Sequence, residues 1–109
     1  MSFPVSFMTA NLVAEQAGWR IADWSEGDRA TNAWYAPIET YRERFDQLLR
    51  TVRSFGVDRV DIWGGHLNFE WATDEHVRIA RDLLDEHGLR VASYASWYGK
   101  DAEQFEANC

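Results

Sequence analysis

The chain has one cysteine, and it is the last of 109 residues. An internal disulfide is therefore excluded, as is a zinc site built from several thiolates. That usage fits a reducing, cytoplasmic setting. Basic charge is also scarce. Eleven Lys and Arg face 18 Asp and Glu, a formal net charge of −7, and no dense Lys/Arg cluster occurs. Such a surface repels phosphate backbones, so nucleic acid is not an expected partner. Long apolar runs are missing as well. No stretch approaches the roughly 18 residues that a membrane span needs. The opening residues MSFPVSFMTANL lack the basic and apolar regions of a signal peptide. No membrane partner is expected.

What is present belongs to a folding chain. Apolar residues make up 46% and aromatic residues 15%, enough to bury a core and to argue against disorder. The length suits one small domain. Six tryptophans are many for that length. Indoles pack cores, and they also stack on flat ligands and sugar faces.

Residues 5–10 (VSFMTA) read as a short buried strand. From Asn11 to Pro37 the chain looks irregular, with Gly18, Asp23, Gly27, Asp28 and Asn32 as turn formers and Trp19, Trp24, Trp34 and Tyr35 among them. A loop that long in a compact domain usually has a task. It would either cover a binding mouth through its aromatic anchors or contact a ligand directly. Residues 38–55 are helical by pattern. Ile38, Tyr41, Phe45, Leu48, Leu49, Val52 and Phe55 recur every three or four positions between charged residues, and Gly56 is placed to end the helix. Residues 57–63 (VDRVDIW) read as a second strand. Thr73 reads as an N-cap with Asp74 and Glu75 in the first turn. The helix over 73–87 carries Val77, Ala80, Leu83, Leu84 and His87 at helical spacing and ends at Gly88. Residues 89–97 (LRVASYASW) read as a third strand, and 101–109 as the start of another helix.

A repeat unites these pieces. Helix, glycine, short gap and Arg-Val strand occur twice, with Gly56 and Gly88 thirty-two positions apart. Strands alternating with amphipathic helices imply an α/β fold with a parallel sheet and right-handed crossovers. No GxGxxG and no P-loop follows the first strand, which disfavours an open nucleotide-binding sheet. The alternative is part of a (β/α)8 TIM barrel, which needs eight such units and about 250 residues. The first three β-strands would be present, with their helices. Open strand edges of this kind invite self-association.

The segments SFMTANL, GDRATNAWYAPIETYRERFDQLL, GVDRVDIWGGHLNFEWATDEH and HGLRVASYASWYG together resemble the N-terminal portion of the sugar phosphate isomerase/epimerase family, the xylose isomerase-like TIM barrels. The likeness spans essentially the whole chain. It rests on the ordered set, not on one decisive motif. It implies proton transfer next to a carbonyl of a small sugar or polyol, in carbohydrate metabolism, with a divalent metal (Mn2+, Mg2+ or Zn2+) held by carboxylates and a His from later strands. None of this chain's residues matches those ligands, so no metal site is expected within it, and the isolated chain is expected to be inactive. Two other readings accompany this one: a truncated, non-catalytic barrel fragment, and a metal-dependent nuclease of the endonuclease IV type. The charge of −7 opposes the nuclease.

In barrels the functional residues stand at the C-terminal ends of the strands. His66, just past strand 2, is the catalytic candidate. Many relatives carry a His there that faces the sugar, and the ring would bind a hydroxyl or move a proton near neutral pH. The alternative is a surface-loop His without a role. Asp61 alternates with Val60 and Ile62, so it should face the barrel interior if they face the helices. Trp63 shares its face and would either wall the sugar or pack. Asn11 and Trp97, at the ends of strands 1 and 3, complete the substrate-side candidates, with Asn68 and Glu70 as weaker ones. His76 and His87 read as structural or solvent-facing.

Overall fold

A computed structural model describes residues 6–13, 15–20 and 22–95. Three strands, β1 (Ser6–Met8), β2 (Arg59–Trp63) and β3 (Arg90–Ala95), form one sheet in the order β1-β2-β3. Both pairings are parallel, with Phe7 beside Val60 and Val60 beside Val91. The protein is thus α/β with a parallel sheet. A register shift between Val60 and Asp61 skips Ala92 and sets Ser93 opposite Asp61.

Helix α2 (Ile38–Ser54) and helix α3 (Asp74–Glu86) link the strands. Their apolar stripes meet on one face of the sheet. Tyr41, Phe45, Leu48, Leu49 and Val52 of α2 join Ile79, Ala80, Leu83 and Leu84 of α3 over Val60 and Ile62. Burying those side chains is the main stabilising term, at about 1.5–3 kcal/mol for each fully buried large one. Phe55, expected in the stripe, is half exposed and lies against Phe7. On α3 the buried stripe starts at His76 and Ile79, while Val77 is exposed.

Residues 11–37 are not an irregular loop. Two 3-10 turns, Thr9–Leu12 and Glu15–Ala17, lead into helix α1 (Trp24–Tyr35). The first turn also shortens β1, which ends at Met8. Asp23 caps α1 by accepting the Glu26 N–H, and the Glu26 carboxylate accepts the Ala22 N–H. The buried stripe of α1 is Gly27, Thr31 and Tyr35. Thr31 anchors it: its Oγ1 lies 2.7 Å from the carbonyls of Val13 and Gly27 and accepts the Gln16 amide at 2.9 Å.

The other strand and helix boundaries fall within a few residues of those read from the sequence. The segment 101–109 and Trp97 lie outside the described residues. Gly56 and Gly88, which follow α2 and α3, both adopt positive φ, +80° and +66°.

Candidate functional site

Parallel pairing brings the ends of β1 and β2 to the same edge of the sheet. Thr9 directly follows β1, and Trp63-Gly64-Gly65-His66 ends β2 and turns away from it. The Thr9 hydroxyl joins the two. Its oxygen accepts the Trp63 N–H at 2.8 Å and lies 2.9 Å from Nδ1 of His66. From beneath, the Tyr41 hydroxyl donates to the His66 carbonyl at 2.9 Å.

His66 is fully enclosed. The rings of Tyr35 and Trp63 stand nearly perpendicular to it, with centroids at 4.9 and 5.3 Å. Burial alone pulls its pKa down to about 3, because an enclosed imidazolium would lose its hydration. The ring is therefore neutral at pH 7 and, in this enclosure, carries no exchangeable charge near neutrality. Hydrogen-bond accounting assigns its tautomer. With one Thr9 lone pair taken by Trp63, the Thr9 O–H satisfies itself by donating to Nδ1. The proton then sits on Nε2, which has no partner. An enclosed, unpaired donor costs about 1–3 kcal/mol, and such groups call for an explanation.

Above this cluster lies a pocket of about 520 Å³. Three indoles border it: Trp24 from α1, Trp63 from β2 and Trp71 from the loop after β2. Trp24 and Trp63 are in ring contact at 5.3 Å. Asn32 holds the wall together. Its carbonyl accepts both the Asn68 amide at 3.0 Å and the Trp71 indole N–H at 2.8 Å, while its own amide donates to Asp28. Asn68 also accepts the Glu70 N–H. The two amides are thus internally committed. Asp28, Arg29 and Glu70 remain as the charged lining.

The sequence candidates separate on this map. Trp63 and His66 come together in ring contact, and Asn68 and Glu70 join Trp63 in lining the pocket. Asp61 does face opposite Val60 and Ile62, on the sheet face away from the helices, and it accepts the Ser93 hydroxyl at 2.7 Å. Asn11 folds back onto the Met8 carbonyl on an exposed turn and does not line the pocket. Trp97 lies outside the described residues. His76 is structural: it accepts the Thr73 N–H through Nδ1, and its Nε2–H donates to the Ala36 carbonyl at 2.9 Å. His87 pairs with Asp46 at 2.7 Å. Sequence reasoning missed Thr9, Asp28, Arg29, Asn32 and Trp71. The Asp23…Glu26 capping pair, three residues apart, was the available sign that residues beyond it were helical.

Among the described residues, no three His, Cys, Asp or Glu side chains gather to hold a metal ion. His66 is shut behind Trp63, and Asp61 is engaged by Ser93. The described residues of this rim therefore gather no ligand set for a divalent ion. No described helix is long and apolar enough to cross a membrane. Compared with known protein families, with curated proteins and with solved structures, the chain matches none.

Proposed function

We propose that this chain forms the first strand–helix units of a (β/α)8 barrel and contributes the early, substrate-side wall of a sugar isomerase or epimerase site. One observation carries the reading. The strands run in sequence order with α2 and α3 on one face, and the opposite face presents Arg59, Asp61 and Trp63, which stand partly exposed. A doubly wound sheet would cover that face with helices and make it apolar. A barrel turns it inward as a lining that admits polar groups at the rim. The candidate pocket stands at the C-terminal end of β2, and strand C-terminal ends are where barrels place their chemistry. Its three indoles and its acceptor-rich lining suit a polyol, which offers C–H faces to aromatic rings and O–H donors to carboxylates.

β3 supports the same reading. Val91 and Tyr94, which pair with the helix-side residues Val60 and Ile62, are exposed, as expected of a stave with room for a further helix on that face. Where further strands are lacking, the open edges would pair with further copies of the chain. The divalent metal of the family's chemistry, Mn2+, Mg2+ or Zn2+, would be held by other strands; we assign it no ligand here. The protein in this reading works in carbohydrate metabolism in the cytoplasm.

The test is tryptophan fluorescence of the full chain titrated with D-fructose as a ketohexose and xylitol as a polyol. A saturable change in emission, lost in Trp63→Leu, is expected. No saturable response to either probe overturns the reading.

A further inference from the structure

We propose that Trp63 is a movable cover over His66, held shut against the bare backbone of Gly65 and the ring of Trp24. Three independent observations place it in that role. The Trp63 ring lies so close on Gly65 that a Cβ there would fall inside the van der Waals shell of its six-membered ring. It stands nearly perpendicular to the His66 ring, centroids 5.3 Å apart, and the Nε2 of that ring has no partner. Its other neighbour, Trp24, is more than half exposed and lies on α1, at the pocket rim. The covering indole itself borders the pocket of about 520 Å³, so it has free space beside it.

The chemistry of the closed state is that of a withheld donor. Thr9, Tyr35 and Trp63 contact the ring, and of these only Tyr35 titrates. Burial pushes its phenol up, so it is neutral over the working range and brings no charge to the imidazole. A lone Nε2–H behind an aromatic ring is unfavourable. It is relieved when a ligand oxygen reaches it. Moving Trp63 off Gly65 opens that path while the Thr9 hydroxyl keeps the imidazole in place from the other side. The ligand class, a polyol that offers both an acceptor oxygen and a ring face, rests on the function proposed above. The cover itself does not.

Gly65→Ala separates the two. Gly65 is buried, it is not among the glycines with positive φ, and the three atoms nearest to an added methyl all belong to the six-membered ring of the Trp63 indole, within 2.6 Å. The methyl and the ring cannot both keep their places, so the variant is the one that should displace the ring. In the wild-type chain the His66 ring resonances should not titrate between pH 5 and 8. In Gly65→Ala the pKa should rise far enough toward the ordinary 6.5 for the ring to titrate within that window as water returns. Acylation of His66 by diethyl pyrocarbonate should quicken by about tenfold or more, as local openings become frequent, with partly exposed His87 as the internal reference. An unchanged His66 titration and an unchanged acylation rate in a folded Gly65→Ala overturn the cover. If that variant fails to fold, the wild-type protein still decides. Acylation of His66 faster than global unfolding supports the cover, and acylation only at the unfolding rate overturns it. Adding D-fructose to the wild-type reaction tests the ligand class. Protection of His66 supports it, and absence of protection removes the sugar reading while leaving the cover standing.

Discussion

The Thr9 hydroxyl and the His66 imidazole lie 2.9 Å apart, 57 residues apart in the chain. One oxygen thereby ties the end of β1 to the turn after β2, since it also takes the Trp63 N–H. Thr9→Val keeps the shape and removes the hydroxyl. It leaves the Trp63 N–H and His66 Nδ1 without partners in an enclosed place, so stability should fall by about 1–3 kcal/mol. Thr9→Ser should recover most of it. Urea unfolding of the three proteins measures this, and a Val variant as stable as wild type would show that the strand ends do not depend on the hydroxyl.

His66 also sets a pH dependence. Its native pKa, about 3, lies below the unfolded value near 6.5. Above pH 6.5 both states are neutral and the contribution is constant. As pH falls below 6.5, the unfolded chain takes up a proton that the native chain refuses, so stability declines through the window from 6.5 to 3. The slope from this residue reaches at most about 1.4 kcal/mol per pH unit. Carboxylates also titrate toward the acid end, so the comparison is with His66→Gln, which keeps them. Thermal melts at pH 7.5, 6, 5 and 4 should show the wild type losing its advantage over the variant, or falling behind it, as pH drops. Parallel curves would mean that His66 titrates alike in both states.

Much of the fold was legible because its signals are local. The Tyr41–Val52 stripe of α2 has helical spacing, and the repeated glycines mark helix ends. Both glycines adopt the left-handed conformation, which costs a residue with a Cβ about 1–2 kcal/mol. A Cβ at Gly56 or Gly88 meets nothing within 4 Å. Gly88→Ala should therefore destabilise by about that conformational cost alone, with Gly88→Asn milder. Calorimetry checks this, and a neutral Ala variant would show that the turn relaxes.

The candidate site was less legible because its key residues do not look apolar or catalytic in isolation. The buried stripe of α1 is Gly27-Thr31-Tyr35, which a hydrophobic scan passes over. Gly27 has no side chain to register, and Thr31 hides its hydroxyl by bonding backbone. The value of Asn32 depends on Asn68 and Trp71, more than 30 residues away. His66 was marked by its position at a strand end. Its enclosure depends on Trp63 lying flat on Gly65, a contact that no pattern in the sequence announces.

Asn32 shows how such a residue can be tested apart from the core. Its side chain is part-buried, and its carbonyl takes donors from Asn68 and Trp71 while its amide is turned to Asp28. Asn32→Leu keeps the bulk and removes all four interactions. The Trp71 N–H and the Asn68 amide lie near the pocket opening, where water can replace the lost partner, so the stability cost should stay near about 1 kcal/mol. The wall should suffer more than the fold. With Trp71 and Asn68 released, the indole faces no longer converge, and the fluorescence response to D-fructose should weaken by about tenfold or more, in keeping with the dependence of binding on preorganised side chains. Asn32→Asp keeps the acceptor and loses the donors to Asp28, so it should retain part of that response. Equal responses from wild type and Asn32→Leu would show that the pocket bordered by these residues is not where the sugar binds.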